Sequence, residues 1–168
     1  NYSMQDNVKQ LLQNYKPSQK TVDTLRSQRL IIFAGTAGAG KNAIMNGLLK
    51  NGKYHDIVTS TTREPRENNG VLEQNGVDYI FLTHDEAVAK LKAGDYIEAA
   101  PVHEYIYGVL ASEIERAAEA GKTPIVDVDV QGVHTFKSLS DNVVAIFVVP
   151  PSFEVWMQRI KHRYASEE

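Results

Sequence analysis

The chain contains no cysteine, which excludes disulfides and thiolate metal sites and makes a cytosolic compartment the default. It has no apolar run near the ~20 residues needed to span a bilayer, and no signal-peptide stretch at its start. Basic excess is missing as well. With 18 Lys and Arg against 21 Asp and Glu, the net charge is −3, and no basic stripe is present of the kind that tracks a nucleic-acid backbone. The histidines, His55, His84, His103, His134 and His162, include no pair at helical ligand spacing. Solvated or locally hydrogen-bonded imidazoles are therefore expected rather than a metal centre. At 168 residues the chain suits one domain with a substantial core. A soluble, cytoplasmic protein is expected, without nucleic-acid or membrane partners and with its oligomeric state open.

What the chain does have is a phosphate-binding pattern. Leu30-Ile31-Ile32-Phe33 runs into Gly35-Thr36-Ala37-Gly38-Ala39-Gly40-Lys41, which predicts a strand feeding a glycine-rich loop at a helix N-terminus. Glycines let the backbone wrap closely around phosphate oxygens, the amide N–H groups point inward, the helix dipole adds positive potential, and Lys41 supplies a full charge. The pattern GxxxxGK[ST] holds except at its last place. Asn42 stands there instead of a magnesium-ligating hydroxyl residue, and a carboxamide oxygen is bulkier and a poorer ligand.

From Leu30 onward, predicted strands and helices alternate, the signature of a three-layer α/β fold with a parallel sheet. Leu30 to Phe33, Ile125 to Val128 and Val143 to Val149 are apolar throughout, as strands buried between two helix layers require. Between Ile57 and Val109 the strands are expected to be shorter and interleaved with polar residues, which suits a small, partly solvated substrate-binding subdomain. Thr83 and Glu86 form a capping box for a helix through Leu91 that stops at Gly94. Leu110, Ile114, Ala117 and Ala118 give the next helix its apolar face, with Gly121 as its stop. A last helix is predicted after Pro150-Pro151, with Ser152 as N-cap; Phe153, Trp156, Met157 and Ile160 form an aromatic stripe read as core packing. Residues 1–28 are rich in Gln and Asn, with a weak helical stripe at Val8, Leu11 and Leu12 before Pro17. They are read as an extension, a short helix packed on the domain, and Asn1 as a processed or foreign residue ahead of Met4.

Five further motifs follow in order: Thr59-Ser60-Thr61-Thr62-Arg63-Glu64-Pro65-Arg66, Gly76-Val77-Asp78-Tyr79-Ile80-Phe81, Tyr96-Ile97-Glu98, Tyr105-Ile106-Tyr107-Gly108 and Ile125-Val126-Asp127-Val128-Asp129-Val130-Gln131-Gly132. With the glycine-rich loop, this set resembles guanylate kinase from about Leu30 to the C-terminus. The resemblance implies a P-loop NTPase fold with a GMP-binding subdomain at residues 57–109, in a domain spanning 29–168, and ATP-dependent phosphorylation of GMP. Residues 35–42 would hold ATP, Lys41 at its β- and γ-phosphates, with Mg²⁺ carried on the nucleotide and touched at most indirectly by Asn42 and Asp127. Arg63 and Arg66, with Tyr79 and Tyr107, would grip the acceptor phosphate, for which guanidinium groups suit better than ammonium groups. Glu98 would accept from guanine N1–H and the 2-amino group, and Thr59 would donate to O6. Asp127 and Asp129 would organise Mg²⁺-bound water or hold the nucleoside; alternatively they cap the following helix. Arg159-Ile160-Lys161-His162-Arg163 resembles the basic run opening the family's lid, here residues 159–168, with Arg163 at the transferring phosphoryl group.

The chain stops at Glu168, where in the family the lid continues and a further helix and strand follow. An impaired phosphotransferase cut within its lid is therefore expected. Val109 follows Gly108 where the family usually carries Ser or Thr, and the loop from Arg66 to Tyr79 is longer than usual, with turn signals at Asn68-Asn69-Gly70 and Asn75-Gly76. Two other readings share the fold: a ribose-bisphosphate kinase relative, and a guanylate-kinase-like protein-binding module without catalysis. Retention of Glu98, Arg63 and Arg66 speaks against the first, and of the loop and Lys41 against the second. A small GTPase would need an Asn-Lys-x-Asp motif, which is absent.

Overall fold

The computed structural model describes residues 5–165, so residues 1–4 of the expected extension and 166–168 of the expected lid lie outside the described residues. In chain order, α1 (Asp6–Gln13) and α2 (Gln19–Arg26) precede β1 (Leu30–Ala34), the phosphate loop and α3 (Lys41–Leu49). Then come β2 (Tyr54–Asp56), β3 (Ser60–Thr61), β4 (Glu67–Asn68), β5 (Val71–Leu72), β6 (Ile80–Phe81) and α4 (His84–Ala93). The hairpin β7 (Tyr96–Val102) and β8 (Tyr105–Leu110) leads to α5 (Ala111–Glu119), β9 (Thr123–Asp127), α6 (Val130–Leu139), β10 (Val143–Phe147) and α7 (Phe153–Ala165).

The central sheet is parallel throughout, ordered β10-β1-β9-β2. Alternation along β1 explains its layers. Leu30, Ile32 and Ala34 enter one core with Leu25, Ile114, Val126 and Phe136, while Phe33 enters a second with Met45, Ile125 and Val148. A strand that is apolar at every position must be covered on both faces; α6 packs on one face of β1 and α3 on the other. The run at β10 departs from this expectation. The strand ends at Phe147 rather than Val149, and Val144, Ile146, Phe147 and Val149 are exposed. As the edge of the sheet it has a strand neighbour on one side only, and among the described residues only Val143, Ala145 and Val148 reach a core.

The second sheet, ordered β6-β3-β8-β7, pairs β3 with β6 in parallel and is otherwise antiparallel. Its strands are not uniformly short. β7 has 7 residues and β8 has 6, more than the 5 of β1, because the tight turn after Val102 lets antiparallel pairing continue to Val102 and Tyr105. Val8 and Leu12 of α1, with Ala87 and Leu91 of α4, cover Tyr96, Ile106 and Leu110 on one face. Alternation turns Tyr107 to the opposite face, and the register shift between Tyr96 and Glu98 turns Glu98 there as well. The capping box at Thr83 and Glu86 and the left-handed stop at Gly94 form as read.

Three local readings change. The extension forms two helices, with Ser18 capping the second, and Leu25 of α2 is fully inside the central core. On α5, Ala118 is exposed and Glu113 is buried instead. Its carboxylate accepts from the Val58 N–H at 2.7 Å and from Arg116 at 2.9 Å, with His55 Nε2 3.4 Å away, so it faces the linker from β2 to β3 rather than solvent. The stripe on α7 does not join the core: none of that helix is buried, and Trp156 and Arg159 lie against the phosphate loop instead. Among the described residues no helix is long and apolar enough to cross a membrane.

If α2 is part of the core rather than an appendage, Leu25→Ala should cost about 2–5 kcal/mol, the range for a buried leucine. Urea denaturation measures this, and an unchanged midpoint would contradict the packing described.

Candidate active site

The phosphate loop takes its shape from its glycines. Gly40 has φ 106° as the residue before α3, a conformation that a side chain resists, and the Ala39 N–H bonds the Thr36 carbonyl to close the turn. The loop, Lys41, Asn42, Asp127, Arg159 and Arg163 surround a cleft of about 580 Å³. Lys41 Nζ lies 2.6 Å from Asp127 Oδ1 at the end of β9. Such a partly exposed pair is worth only about 0.2–1 kcal/mol, too little to keep the ammonium from a triphosphate. Helix α7 grips the loop from outside: Trp156 Nε1 donates to the Ala37 carbonyl at 2.7 Å, and Arg159 Nη1 to those of Gly38 and Ala39 at 3.2 and 3.3 Å.

On the open face of the second sheet, Arg63, Tyr79 and Tyr107 converge. The Arg63 guanidinium lies 5.2 Å from the centroid of the Tyr79 ring, its Nε donates to Tyr107 Oη at 3.2 Å, and the two tyrosine rings meet edge-on. Glu73 completes the group, accepting from Nη1 at 2.8 Å and Nη2 at 3.2 Å. Its carboxyl is held below the usual range by that hydrogen bond and by the Arg66 backbone N–H. Of the five N–H donors of a guanidinium, four are engaged in Arg63. Among the described residues one N–H has no partner. The Arg66 side chain is exposed.

Glu98 is different in kind. Its Oε2 is buried and has no hydrogen-bond partner among the described residues. Burial, and secondarily the charge of Asp129, push its carboxyl up to about 7. The carboxylate lies so close to α6 that a Cβ added to Gly132 would stand 2.9 Å from Oε2. Asp129 meanwhile accepts from the Gly132 N–H at 2.7 Å as the N-cap of α6. That is the capping alternative for Asp129, whereas Asp127 faces the phosphate loop.

A phosphate loop, an arginine–tyrosine cluster and a carboxylate with one buried, unpaired oxygen thus line the site. The profile of the family described as guanylate kinase matches residues 27–168. The chain belongs to the guanylate kinase family. It is 39% identical over 136 residues to a guanylate kinase of Bdellovibrio bacteriovorus, covering 80% of this chain and 71% of that one. With a guanylate kinase of Thermotoga maritima it shares 36% identity over 143 residues, covering 83% and 66%. The crystal structure of guanylate kinase from Anaplasma phagocytophilum superposes with a TM-score of 0.57 at 27% identity, covering 84% of this chain and 70% of that one. The chain thus spans about two thirds of the length of these guanylate kinases.

Of the residues expected from the guanylate kinase resemblance, Lys41 meets Asp127, and Arg63 meets Tyr79 and Tyr107. Thr59 is half-buried and uses its carbonyl to accept from the Ile80 N–H. Val109 is buried opposite Glu98, where its methyl groups fill core space. The long loop folds into the β4–β5 hairpin, turning at Asn69 and Gly70 with φ of 50° and 79°. Sequence reasoning missed Glu73, Trp156 and Gly132. An acidic residue inside a loop that follows two arginines was the available signal for the first.

Two outcomes follow. Arg63→Ala should lower the urea midpoint by leaving Glu73 without its guanidinium partner, whereas Arg66→Ala should leave it within ~0.5 kcal/mol of wild type and weaken an acceptor phosphate selectively, as GMP and guanosine titrations would register. Because Trp156 is the sole tryptophan and bonds the loop directly, its fluorescence should change on addition of ATP. A Lys41→Ala protein should lose that response, and an unresponsive wild type with ATP bound by calorimetry would contradict the contact.

Proposed function

We propose that this chain transfers the γ-phosphoryl group of ATP to GMP, in the cytoplasm. The observation that carries the acceptor assignment is the buried, unpaired oxygen of Glu98. An acceptor in that state calls for donors, and guanine supplies two along one edge, N1–H and the 2-amino group. Adenine offers an acceptor at N1 and nothing at C2, so it would leave the carboxylate facing a lone pair. Losing a buried charged hydrogen bond amounts to about 1–3 kcal/mol or more.

The remaining roles follow from placement. The backbone of Gly35, Thr36, Ala37, Gly38, Ala39 and Gly40 would hold the ATP phosphates with Lys41, and Arg163, on the wall of the same cleft, would neutralise charge on the moving phosphoryl group. Arg66, the last N–H of Arg63, and the hydroxyls of Tyr79 and Tyr107 would receive the GMP phosphate, with Thr59 toward guanine O6 and Asp129 beside the nucleoside. An acceptor phosphate is already anionic, so the protein's task is alignment and charge neutralisation. Mg²⁺ would enter with ATP, and Asn42 and Asp127 would offer it oxygen contacts through water. When bound it withdraws charge from the phosphoryl oxygens.

Calorimetry tests the acceptor assignment. GMP should bind more tightly than AMP, and Glu98→Gln should remove most of the difference; equal affinities in wild type would overturn the reading. The pH dependence has a fixed sign. Guanine binds the carboxylate, so below about 7 binding must expel a proton, and the part of GMP affinity lost in Glu98→Gln should grow from about pH 6 to about pH 8. Folding runs the other way: the folded protein retains that proton to higher pH than the unfolded chain, so Glu98's contribution to stability falls as pH rises from the ordinary carboxylate range through about 7.

A further inference from the structure

Helices α1 and α2 lie outside residues 27–168 that match the family, yet they join the two sheets. Tyr15, just after α1, sets its ring edge-on to Tyr96, with centroids 6.3 Å apart at 86°, and its Oη donates to the Tyr96 carbonyl. The Ser18 N–H and the buried Thr21 hydroxyl both donate to the Gly94 carbonyl, at 3.0 and 2.7 Å. At its other end α2 is fixed to the central layers. Leu25 is in that core, Arg26 Nε donates to the Leu139 carbonyl at 2.8 Å, and Gln28 Nε2 to the Ile114 carbonyl at 2.6 Å.

The ties from Tyr15, Ser18 and Thr21 converge on Tyr96 and Gly94, at and just before the start of β7, within four residues of Glu98. There the pairing of β7 with β8 shifts register between Tyr96 and Glu98, leaving Ile97 without a partner in the ladder, and such an irregularity re-aims the side chains that follow it. Gly132 bounds the carboxylate from α6. Tyr15 holds the backbone from the other side. We propose that Tyr15 is a positioning residue for base recognition, its hydrogen bond setting the Tyr96–Glu98 segment so that the Glu98 carboxylate meets the guanine edge. This rests on the assignment of Glu98 given above.

The alternative is that α1 only stabilises the sheet, and the full chain can separate the two. Tyr15→Phe keeps the ring and removes the hydroxyl. Val8→Ala weakens α1 at a buried position without touching the bond. By calorimetry, Tyr15→Phe should weaken GMP about fivefold, the equivalent of one net hydrogen bond, and leave ATP unchanged. Val8→Ala should lower the urea midpoint at least as much and leave GMP affinity at wild type. In a Glu98→Gln background, Tyr15→Phe should have no further effect on GMP, since both act on one contact. Thr21→Val, which removes the side-chain bond to Gly94, should give a GMP loss of the same sign. Wild-type GMP affinity in Tyr15→Phe, or a GMP loss in Val8→Ala equal to that in Tyr15→Phe, would overturn the positioning role alone. If Glu98→Gln itself retained full discrimination between GMP and AMP, the base-recognition reading would fall first.

Discussion

Strand β9 is hydrogen-bonded in parallel on both sides, to β1 and to β2, and the reactive groups take their positions from where it ends. The Val128 N–H donates to the Phe33 carbonyl, one residue beyond Asp127. Beyond it the chain has no freedom to wander, since Asp129 caps α6 at once. Asp127 therefore faces Lys41, while Gly132 lies against Glu98. One short, rigid piece of backbone thus touches both the phosphate loop and the Glu98 carboxylate. In the proposed phosphoryl transfer, fixing both from a single strand would serve the alignment on which such a reaction depends.

The arginine cluster follows the same logic of advance organisation. Arg63 is buried, stacked and nearly saturated with hydrogen bonds before any ligand arrives, so it presents one direction and one donor rather than a mobile cation. Arg66 is exposed and would lose side-chain freedom on engaging the proposed acceptor phosphate. The pair divides between a preset orientation and an adaptable charge, which arginine's planar fork permits and lysine's flexible stem does not.

The glycine-rich loop was readable because its glycines and lysine act locally, and spacing alone states the geometry. The capping box at Thr83 was readable for the same reason. Glu73 was obscured by the inserted hairpin, since a partner reached through a loop of variable length has no fixed offset from Arg63. Periodicity on α7 identified a face but not what that face meets, so a helix clasping the phosphate loop was read as core. Edge position misled the reading of β10: an apolar run records that a strand can be buried, not that both of its sides are. Tyr15 and Tyr96 are separated by 81 positions, and no local pattern links them.

That separation also orders events in time. During synthesis, Val8, Leu12 and Tyr15 leave the ribosome long before β7, β8 and α4 exist to receive them. Short helices hold poorly by themselves, so α1 must persist as an uncovered apolar segment until the later hairpin closes a long loop onto it. Docking of the first helix therefore waits until synthesis has passed Leu110, and until then its apolar face is exposed to aggregation.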